Sequence, residues 1–275
     1  MSTSTSNSKP WADQPLALIP TPAFLTKQHN MWISGASHMC NVHNVIFRGY
    51  NSIYLQAPHV QEADMGAFLG SFSASGNLVT VFLNRHMKNM VSFFRMLASL
   101  LSWLLTKGCQ DAFMPLLQAF QKYLDSLENG SQLSSDKILS LMSAFQQPFE
   151  IHFRNEIELI ASLATHPNAP REGSTEQIEA QKNFDKWGSS SVTRSGITDV
   201  LMFFFHNLDN DYEDGLWKDW PDIPGPVRWL MPRVIGGWHR QWWKFASCDV
   251  DGKRKELCLP SEEHTGIDKS LCNTR

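Results

Sequence analysis

The chain has 275 residues, of which 42% are hydrophobic and 19% charged, and its formal net charge is −3. This composition suits one large domain, or one domain with a substantial lobe, with an ample buried core. The sequence has no long basic run, which argues against a nucleic-acid-binding protein. The five cysteines are odd in number and form no CxxC pair, which is typical of a reduced, intracellular compartment, so we predict a cytoplasmic protein.

Both ends of the chain are predicted to lack regular structure. The N-terminal region is polar and has no charged start followed by an apolar core, so it does not have the pattern of a secretory signal. Residues 1–30 are predicted to form a flexible arm, because helix is disfavoured there by Pro10, Pro15, Pro20 and Pro22. Residues 261–275 are predicted to be a disordered tail.

Two helical segments are predicted after the arm. Residues 34–54 carry apolar side chains near a 3.6-residue spacing, at Met39, Val42, Ile46 and Ile53. Pro58 marks a break, and the second long helix follows it and ends near Gly108. This helix contains the most apolar run of the chain, residues 90–105. Because that run includes Arg95 and is shorter than the roughly 20 residues that a membrane span needs, we predict a buried helix and no membrane span.

Two further helical segments are predicted to complete a bundle. The third helix contains Pro115, which fits its first turn or a kink. The fourth begins with Ser134 or Ser135 as its N-cap, and Pro148 is expected to kink or restart it. Residues 31–164 are therefore predicted to form an up-down four-helix bundle, and the predicted fold class is all-α.

A change of composition predicts a second unit after the bundle. Residues 165–177 are rich in Pro, Ser and Thr and are predicted to be a linker. Seven of the ten tryptophans lie from Trp187 onward. Residues 178–260 are therefore predicted to form a Trp-rich helical or irregular lobe. We expect it to pack on the bundle and partly cover its interior, because its tryptophans need apolar surface to bury.

Histidines on separate predicted helices suggest a site in the bundle core. His43 lies on the first helix, His86 on the second and His152 on the fourth. Glu156 follows His152 by one turn, and Gln110 lies near the start of the third helix. Inward histidines and carboxylates are how helical bundles build di-iron carboxylate sites. The plainer alternative is that these are core or surface side chains with ordinary structural roles.

A second group of polar residues has a simpler interpretation. His206, Asp209 and Asp211 lie close together in the sequence HNLDNDYED and resemble metal ligands at first sight. The spacing and the final glutamate of an EF-hand loop are missing, however. An Asp/Asn-rich turn is therefore the better prediction for this segment.

Several segments resemble the fungal branch of the hemerythrin-like proteins, the HHE cation-binding family. They are HNVIFRGYNSIYLQAPHV, PFEIHFRNEI, FDKWGSSSVTRSGITDVLMFFFHNLD and WPDIPGPVRWLMPRVIGGWHRQWWKFASCD. Together they cover most of residues 36–258, and the long Trp/Pro pattern near the C-terminus is the most specific of them. The resemblance implies a four-helix bundle that carries metal ligands on its helices.

The metal-binding pattern of that family is matched only in part. By this resemblance, the chain retains four of the family's metal ligands, His43, His86, His152 and Glu156. Met90 stands where the resemblance places the metal-bridging glutamate, and Gln110 stands where it places a histidine. A thioether is a poor ligand for hard iron or manganese and does not neutralise their charge. The two-iron, oxygen-binding function is therefore predicted to be lost.

A bundle without its metals would contain a largely apolar chamber with a few inward polar groups, which is the character of a small-molecule site. The predicted catalytic residues are His43, His86, Gln110, His152 and Glu156. The predicted substrate-binding residues are Met90, Phe93, Phe94, Phe113, Asn44 and Tyr54. We expect no cofactor, and the residual metal candidates are the four retained family ligands.

The leading hypothesis is a metal-independent enzyme of fungal secondary metabolism. It would bind an apolar terpenoid or polyketide intermediate and promote an intramolecular cyclisation, such as a Diels–Alder cycloaddition, by holding the substrate in a reactive shape. Acid/base isomerisation or dehydration by His152 and Glu156 is a variant of this hypothesis. The alternatives are a protein with a reduced, mononuclear metal site and a non-catalytic binder of hydrophobic ligands. The sequence assigns no oligomeric state.

Overall fold

Helices dominate the structure, a computed structural model. It describes residues 11–71, 107–128, 132–167, 169–182 and 200–259, with the backbone alone for residues 62, 107–111 and 128. The helices are α1 (Pro22–Thr26), α2 (Met31–Gln56), α3 (Lys107–Glu128), α4 (Ser135–Ser162), α5 (Val200–Phe205), α6 (Tyr212–Gly215) and α7 (Gly225–Val234). Residues 65–71 and 175–182 are also helical. Within the described ranges there is no β-strand, and the predicted all-α class is confirmed.

Helix α2 extends the predicted segment, residues 34–54, by three residues at its start and two at its end. Its first turn is capped by the side chain of Asn30, which accepts hydrogen bonds from the backbone N–H groups of Trp32 and Ile33, each 3.0 Å long. Asparagine is among the preferred N-cap residues because its side-chain oxygen satisfies N–H groups that lack a partner within the helix. The cap explains why α2 begins where it does.

Helix α4 begins at one of the two predicted N-caps. The Ser134 hydroxyl accepts a hydrogen bond of 3.2 Å from the backbone N–H of Lys137. The sequence predicted a kink or a restart at Pro148. The structure assigns one helix that runs through Pro148 and ends at Ser162. Pro115 likewise lies inside α3, well beyond its first turn. Each proline lies within a continuous helix, because the apolar faces that pack before and after it favour continuation of the helix.

The core of the helical region lies where α4 packs against both α2 and α3. Phe149 of α4 is central to it, because its ring lies 6.2 Å from that of Phe47 in α2 and 5.5 Å from that of Phe113 in α3, measured between centroids. These three helices are the predicted first, third and fourth segments of the bundle. Most of the predicted second segment, residues 72–106, lies outside the described residues. The hemerythrin-like four-helix arrangement therefore stays a prediction.

Residues 11–30, which the sequence predicted as a flexible arm, lie along α2 as an N-terminal strap. The Asn51 amide accepts a hydrogen bond from the Leu16 N–H and donates to the Leu16 carbonyl, each 2.8 Å long. Asn44, two turns earlier, makes the same pair of bonds with Ile19, again at 2.8 Å. The two amides satisfy backbone groups that would otherwise be buried without partners.

A clamp from the C-terminal lobe closes over this strap. The Glu213 carboxylate accepts hydrogen bonds from the Thr21 N–H, at 2.6 Å, and from the Trp217 indole N–H, at 2.7 Å. The neighbouring Tyr212 hydroxyl donates to the Ile19 carbonyl at 2.9 Å. Glu213 has a left-handed φ of +52°, a conformation that costs about 1–2 kcal/mol for a non-glycine residue. The hydrogen bonds of its carboxylate help to offset this cost.

Residues of the lobe between 200 and 259 pack directly on α2. The carbonyl of Phe245 accepts hydrogen bonds from the Ser52 hydroxyl and, at 2.9 Å, from the Gln56 amide. The backbone N–H of Cys258 donates to the Gln56 side-chain oxygen at 2.8 Å. Helix α5 is buried along its whole length. The C-terminal end of α2 therefore serves as the docking face of the lobe.

Close packing of α5 on α2 makes a glycine essential. A Cβ atom added at Gly49 would lie 2.0 Å from the Phe203 ring. We expect Gly49→Ala to lower the free energy of unfolding by about 1–3 kcal/mol, because the buried ring must move. Gly66→Ala is the matched control, since a Cβ there meets nothing within 4 Å. Urea denaturation measures both, and equal stability of the two variants would contradict the prediction.

Two predictions from the sequence concern the environment of the protein: that it has no membrane span and that its cysteines are reduced. Among the described helices, none combines the length and the apolar composition that crossing a lipid bilayer requires. The buried cysteines Cys40 and Cys248 carry free thiols. The cytoplasmic location and the division of the chain into five parts stay predictions.

Candidate functional site

A buried histidine and a buried carboxylate meet between α2 and α4. His43 Nε2 and Glu156 Oε2 are 3.2 Å apart. The His43 side chain is fully buried and Glu156 is 6% exposed. Removing a carboxylate from water is costly unless it is paired or hydrogen-bonded. The contact with His43 therefore offsets part of the cost of burying Glu156. The two groups form an ion pair whenever the imidazole carries a proton.

Aromatic rings surround this pair. The imidazole of His43 packs on the ring of Phe153, with centroids 4.2 Å apart. His152, which is half-buried, lies 5.4 Å from the ring of Phe113 and 5.3 Å from that of Phe153. Residues 149, 152, 153 and 156 follow the spacing of one helix face, so α4 presents them together toward α2 and α3. The result is a polar pair in an otherwise apolar, low-dielectric setting, where electrostatic interactions are strong.

The structure describes four of the predicted site residues near one another. His43, Phe113, His152 and Glu156 are brought together, although the close contact joins Glu156 to His43 rather than to His152. Gln110 falls in the first turn of α3, where the backbone alone is described. His86, Met90, Phe93 and Phe94 lie outside the described residues.

Two predicted substrate-binding residues have other roles. The Asn44 amide is committed to the strap through its bonds with Ile19. The ring of Tyr54 stacks on that of Tyr50, with centroids 6.0 Å apart, and its hydroxyl lies 3.5 Å from that of Ser143. Spacing along α2 could not distinguish these positions from site positions, because the helix is buried on almost every side.

The family resemblance raises the question of whether a metal fits here. His43 and Glu156 provide one imidazole nitrogen and one carboxylate, which are ligand types for iron, manganese and zinc. Among the described residues, no group of three or more His, Cys, Asp or Glu side chains is arranged to hold a metal ion. A di-iron site needs several carboxylates and histidines. The described residues therefore do not form a complete metal site.

A cavity of about 150 Å³ lies in the lobe, away from the predicted chamber in the bundle. Its apolar lining includes Phe205, Leu208, Pro232 and Val250. Its polar edge includes Arg233, which is paired with Asp251 at 2.5 Å. No pattern in the sequence predicts this cavity, because it is assembled from α5, α7 and the turn near residue 251, which lie far apart along the chain.

A buried charge network joins α2 to the lobe. The Arg48 guanidinium, 1% exposed, lies 3.8 Å from Asp209 Oδ2, and the Arg254 Nε donates to the same oxygen at 2.9 Å. Burial lowers the pKa of Arg48, and Asp209 opposes that shift. The other Asp209 oxygen accepts from the Asp211 N–H at 3.0 Å, which confirms the predicted turn. The sequence did not suggest Arg48, because a lone arginine within an apolar helix has no local signature.

His206 is a second buried histidine, in the lobe. Its ring stacks on that of Trp243 with centroids 5.0 Å apart, and it is 3% exposed. Burial is the main cause that lowers its pKa from 6.5 to about 3, and the charge of Lys255 adds to the shift. The folded protein therefore binds this proton more weakly than the unfolded chain does.

This difference predicts a pH dependence of stability. Between pH 6.5 and about 3 the unfolded state holds more of the His206 proton. The free energy of unfolding should thus fall on acidification through this window, by up to about 1.4 kcal/mol per pH unit from this group. His206→Gln should remove this contribution, which urea denaturation at several pH values would measure. An identical pH dependence in the variant and the wild type would contradict the assignment.

Comparisons with known proteins add one relative. No family model matches the chain, and no solved structure matches it. The chain is similar to the dimeric xanthone biosynthesis cluster protein R11 of Cryptosporiopsis sp. (strain 8999). The two are 25% identical over an alignment of 275 positions. The alignment covers 96% of this chain and 98% of the relative.

Proposed function

We propose that the chain is an enzyme of fungal secondary metabolism that binds an apolar polyketide or terpenoid intermediate beside the His43–Glu156 pair and promotes its cyclisation. The buried pair, 3.2 Å apart among aromatic rings, is the observation that carries this proposal. Such a pair can hold or move a proton, or hydrogen-bond to a substrate carbonyl, in a setting that strengthens both effects.

The relative supports the biological setting. Its name places it in a xanthone biosynthesis cluster, and its similarity extends over nearly the full length of both chains. A role in secondary metabolism is the part of the proposal that this similarity supports. The cyclisation rests on the character of the site, because an intramolecular cycloaddition exchanges two π bonds for two σ bonds and needs no co-reactant. It needs a substrate held in a folded shape.

We also propose that the fold is a hemerythrin-like bundle with degenerate metal ligands. Helix α4 packs on both α2 and α3 in the described part of the chain, and His43, His152 and Glu156 lie at these contacts. Substitution of the bridging carboxylate by Met90 would have converted a metal chamber into a substrate chamber. The methionine supplies adaptable apolar surface in such a chamber.

The proposal is tested with the intermediate that accumulates when the gene is deleted. The gene is deleted in the source organism, the accumulated intermediate is isolated, and the purified protein is incubated with it. We expect a product of unchanged mass and altered chromatographic retention, since a cyclisation is an isomerisation. The metal content of the same preparation is measured. Two irons per chain, or a product whose mass differs by an oxygen atom or a hydrogen pair, would contradict the proposal.

The same His43–Glu156 contact favours a second candidate, a reduced metal site. An imidazole and a carboxylate at this separation are two ligands that one metal ion can share. One tightly held metal per chain that is lost in His43→Ala would support this candidate. Binding of the intermediate without turnover or metal would instead support a carrier of hydrophobic ligands.

A further inference from the structure

The cavity between α5, α7 and the turn near residue 251, called the lobe cavity below, is open to solvent on one side. Phe205 of α5 and Pro232 of α7 are buried and form its inner wall. Trp229 and Val250 are exposed and lie at its rim. A small molecule could therefore enter from solvent and contact apolar and aromatic side chains.

Hydrogen bonds hold the lobe cavity in shape. The backbone N–H of Asn210, which follows α5, donates to the Gly252 carbonyl at 2.8 Å. The side-chain amide of Asn210 donates to the Asp251 carbonyl, also at 2.8 Å. A Cβ atom added at Gly252 would lie 2.3 Å from the Asn210 amide, so the turn lies close against the end of α5. A site that is already formed avoids the cost of ordering its walls when a ligand binds.

The size of the lobe cavity limits what it can hold. Its volume of about 150 Å³ is enough for one benzene ring. Sites for drug-sized molecules are larger, about 300–1,000 Å³. Two aromatic side chains, Phe205 and Trp229, line it, and rings pack favourably on rings in offset or edge-to-face arrangements. Volume and lining together favour a single aromatic ring.

The polar edge of the lobe cavity offers a donor and an acceptor side by side. Arg233 and Asp251 are paired there at 2.5 Å, and both are partly exposed. The Arg233 guanidinium also donates to the Trp229 carbonyl at 3.0 Å and lies 4.7 Å from the centre of the Trp229 ring. These contacts fix the arginine at the edge. A hydroxyl group both donates and accepts hydrogen bonds, so it is the group that matches this pair.

The charges around the lobe cavity favour a neutral ligand. Arg233 is offset by Asp251. Arg228, the second arginine of the lining, interacts with the nearby carboxylates of Asp219 and Asp222. Each arginine thus has acidic neighbours, and an anionic ligand would meet those carboxylates as well as the guanidinium groups. Like charges in contact disfavour binding, so the cavity does not select an anion.

We propose that the lobe cavity binds one neutral phenolic ring. The ring packs against Phe205 and Trp229, and its hydroxyl donates to the Asp251 carboxylate and accepts from the Arg233 guanidinium. This site is separate from the candidate site between α2 and α4. It goes beyond the proposed function and does not depend on it.

The test compares three probes of similar size by NMR titration of the purified protein at neutral pH. We expect saturable, one-to-one binding of phenol. Toluene, which replaces the hydroxyl by a methyl group, should bind about tenfold more weakly, because it cannot form the hydrogen bonds to the charged pair. Benzoate, which is anionic, should also bind more weakly than phenol. Absence of saturable phenol binding would overturn the proposal, as would equal affinities for phenol and toluene.

Asp251→Ala tests the role of the charged pair. The variant loses the acceptor and leaves Arg233 without this partner. The preference for phenol over toluene should fall, and benzoate should bind more tightly than it does to the wild type. Asp211→Ala is the matched control, since it removes an exposed aspartate of the same lobe that is paired with Lys253 and does not line the cavity. An unchanged order of the three probes in Asp251→Ala would contradict the proposal.

Val250→Trp tests the location of the site. A large side chain at this rim position should occupy the cavity and abolish phenol binding, and exposure of Val250 makes the change compatible with folding. Val234→Trp is the control, because Val234 is exposed on α7 but does not line the cavity. It should bind phenol like the wild type. Circular dichroism checks that each variant is folded. Wild-type affinity in folded Val250→Trp would place the bound phenol elsewhere and refute the proposal.

Discussion

Replacing Glu156 by glutamine is expected to lower turnover of the intermediate by about 10²–10⁴-fold, the usual contribution of a positioned acid or base. The change removes the negative charge and the proton acceptor that face His43 at 3.2 Å, while it preserves the size of the side chain. Binding of the intermediate should change much less than turnover, because the surrounding rings are untouched. Steady-state and single-turnover rates separate these two quantities.

Glu150→Gln is the control for this variant. Glu150 lies on the same helix, is partly exposed and is paired with Arg154 at 2.8 Å. Loss of this surface pair should cost only about 0.3–0.5 kcal/mol of stability and leave turnover unchanged. A folded Glu156→Gln protein with wild-type turnover would show that the pair has a structural role alone, and the proposed chemistry would then be wrong.

Replacing Asp209 by asparagine is expected to destabilise the protein by about 3–5 kcal/mol, the typical cost of leaving one partner of a buried ion pair behind. Arg48 would keep its charge inside α2, where it is 1% exposed and where Asp209 is the carboxylate that it faces at 3.8 Å. Chemical denaturation followed by far-UV circular dichroism measures the free energy of unfolding. The slope against denaturant should stay constant if unfolding remains two-state.

Two further variants test the reasoning about this network. Asp211→Asn alters a carboxylate that is 67% exposed, so its effect should stay within about 0.5 kcal/mol. Arg48→Met should cost less than Asp209→Asn, since Asp209 would still be paired with Arg254 at 2.9 Å. If Arg48→Met lowered the free energy of unfolding more than Asp209→Asn does, the inference that an unpaired Arg48 is the costlier buried charge would be wrong.

Local patterns predicted the long helices well. The spacing of apolar residues located α2, and the serine before residue 135 located the start of α4, because both signals act within a few residues of the chain. The strap was predicted as a flexible arm, since its prolines exclude regular helix. Its order comes from Asn44 and Asn51, whose amides bind it from 25 to 39 residues away. Propensity carries no information on such contacts.

The candidate site shows the same limit. Histidine and glutamate spacing within α4 suggested that His152 and Glu156 act together, because they are one turn apart. Among the described residues, the histidine that Glu156 meets at 3.2 Å is His43 on another helix. Pairing between helices depends on their rotation and separation, which a sequence pattern leaves open. Arg48 and Asp209, which are 161 positions apart, were not connected for the same reason.

The clamp on the strap has a consequence for biosynthesis. Thr21 and Glu213 are separated by 192 residues, so a ribosome adding 5–20 residues per second needs about 10–40 s to make the second after the first. During that interval the strap has α2 as a partner but lacks Tyr212 and Glu213. Contacts of such high sequence separation form slowly. Folding of the N-terminal segment is therefore completed by the last third of the chain, and a truncation after α4 would leave the strap bound to α2 but without the clamp.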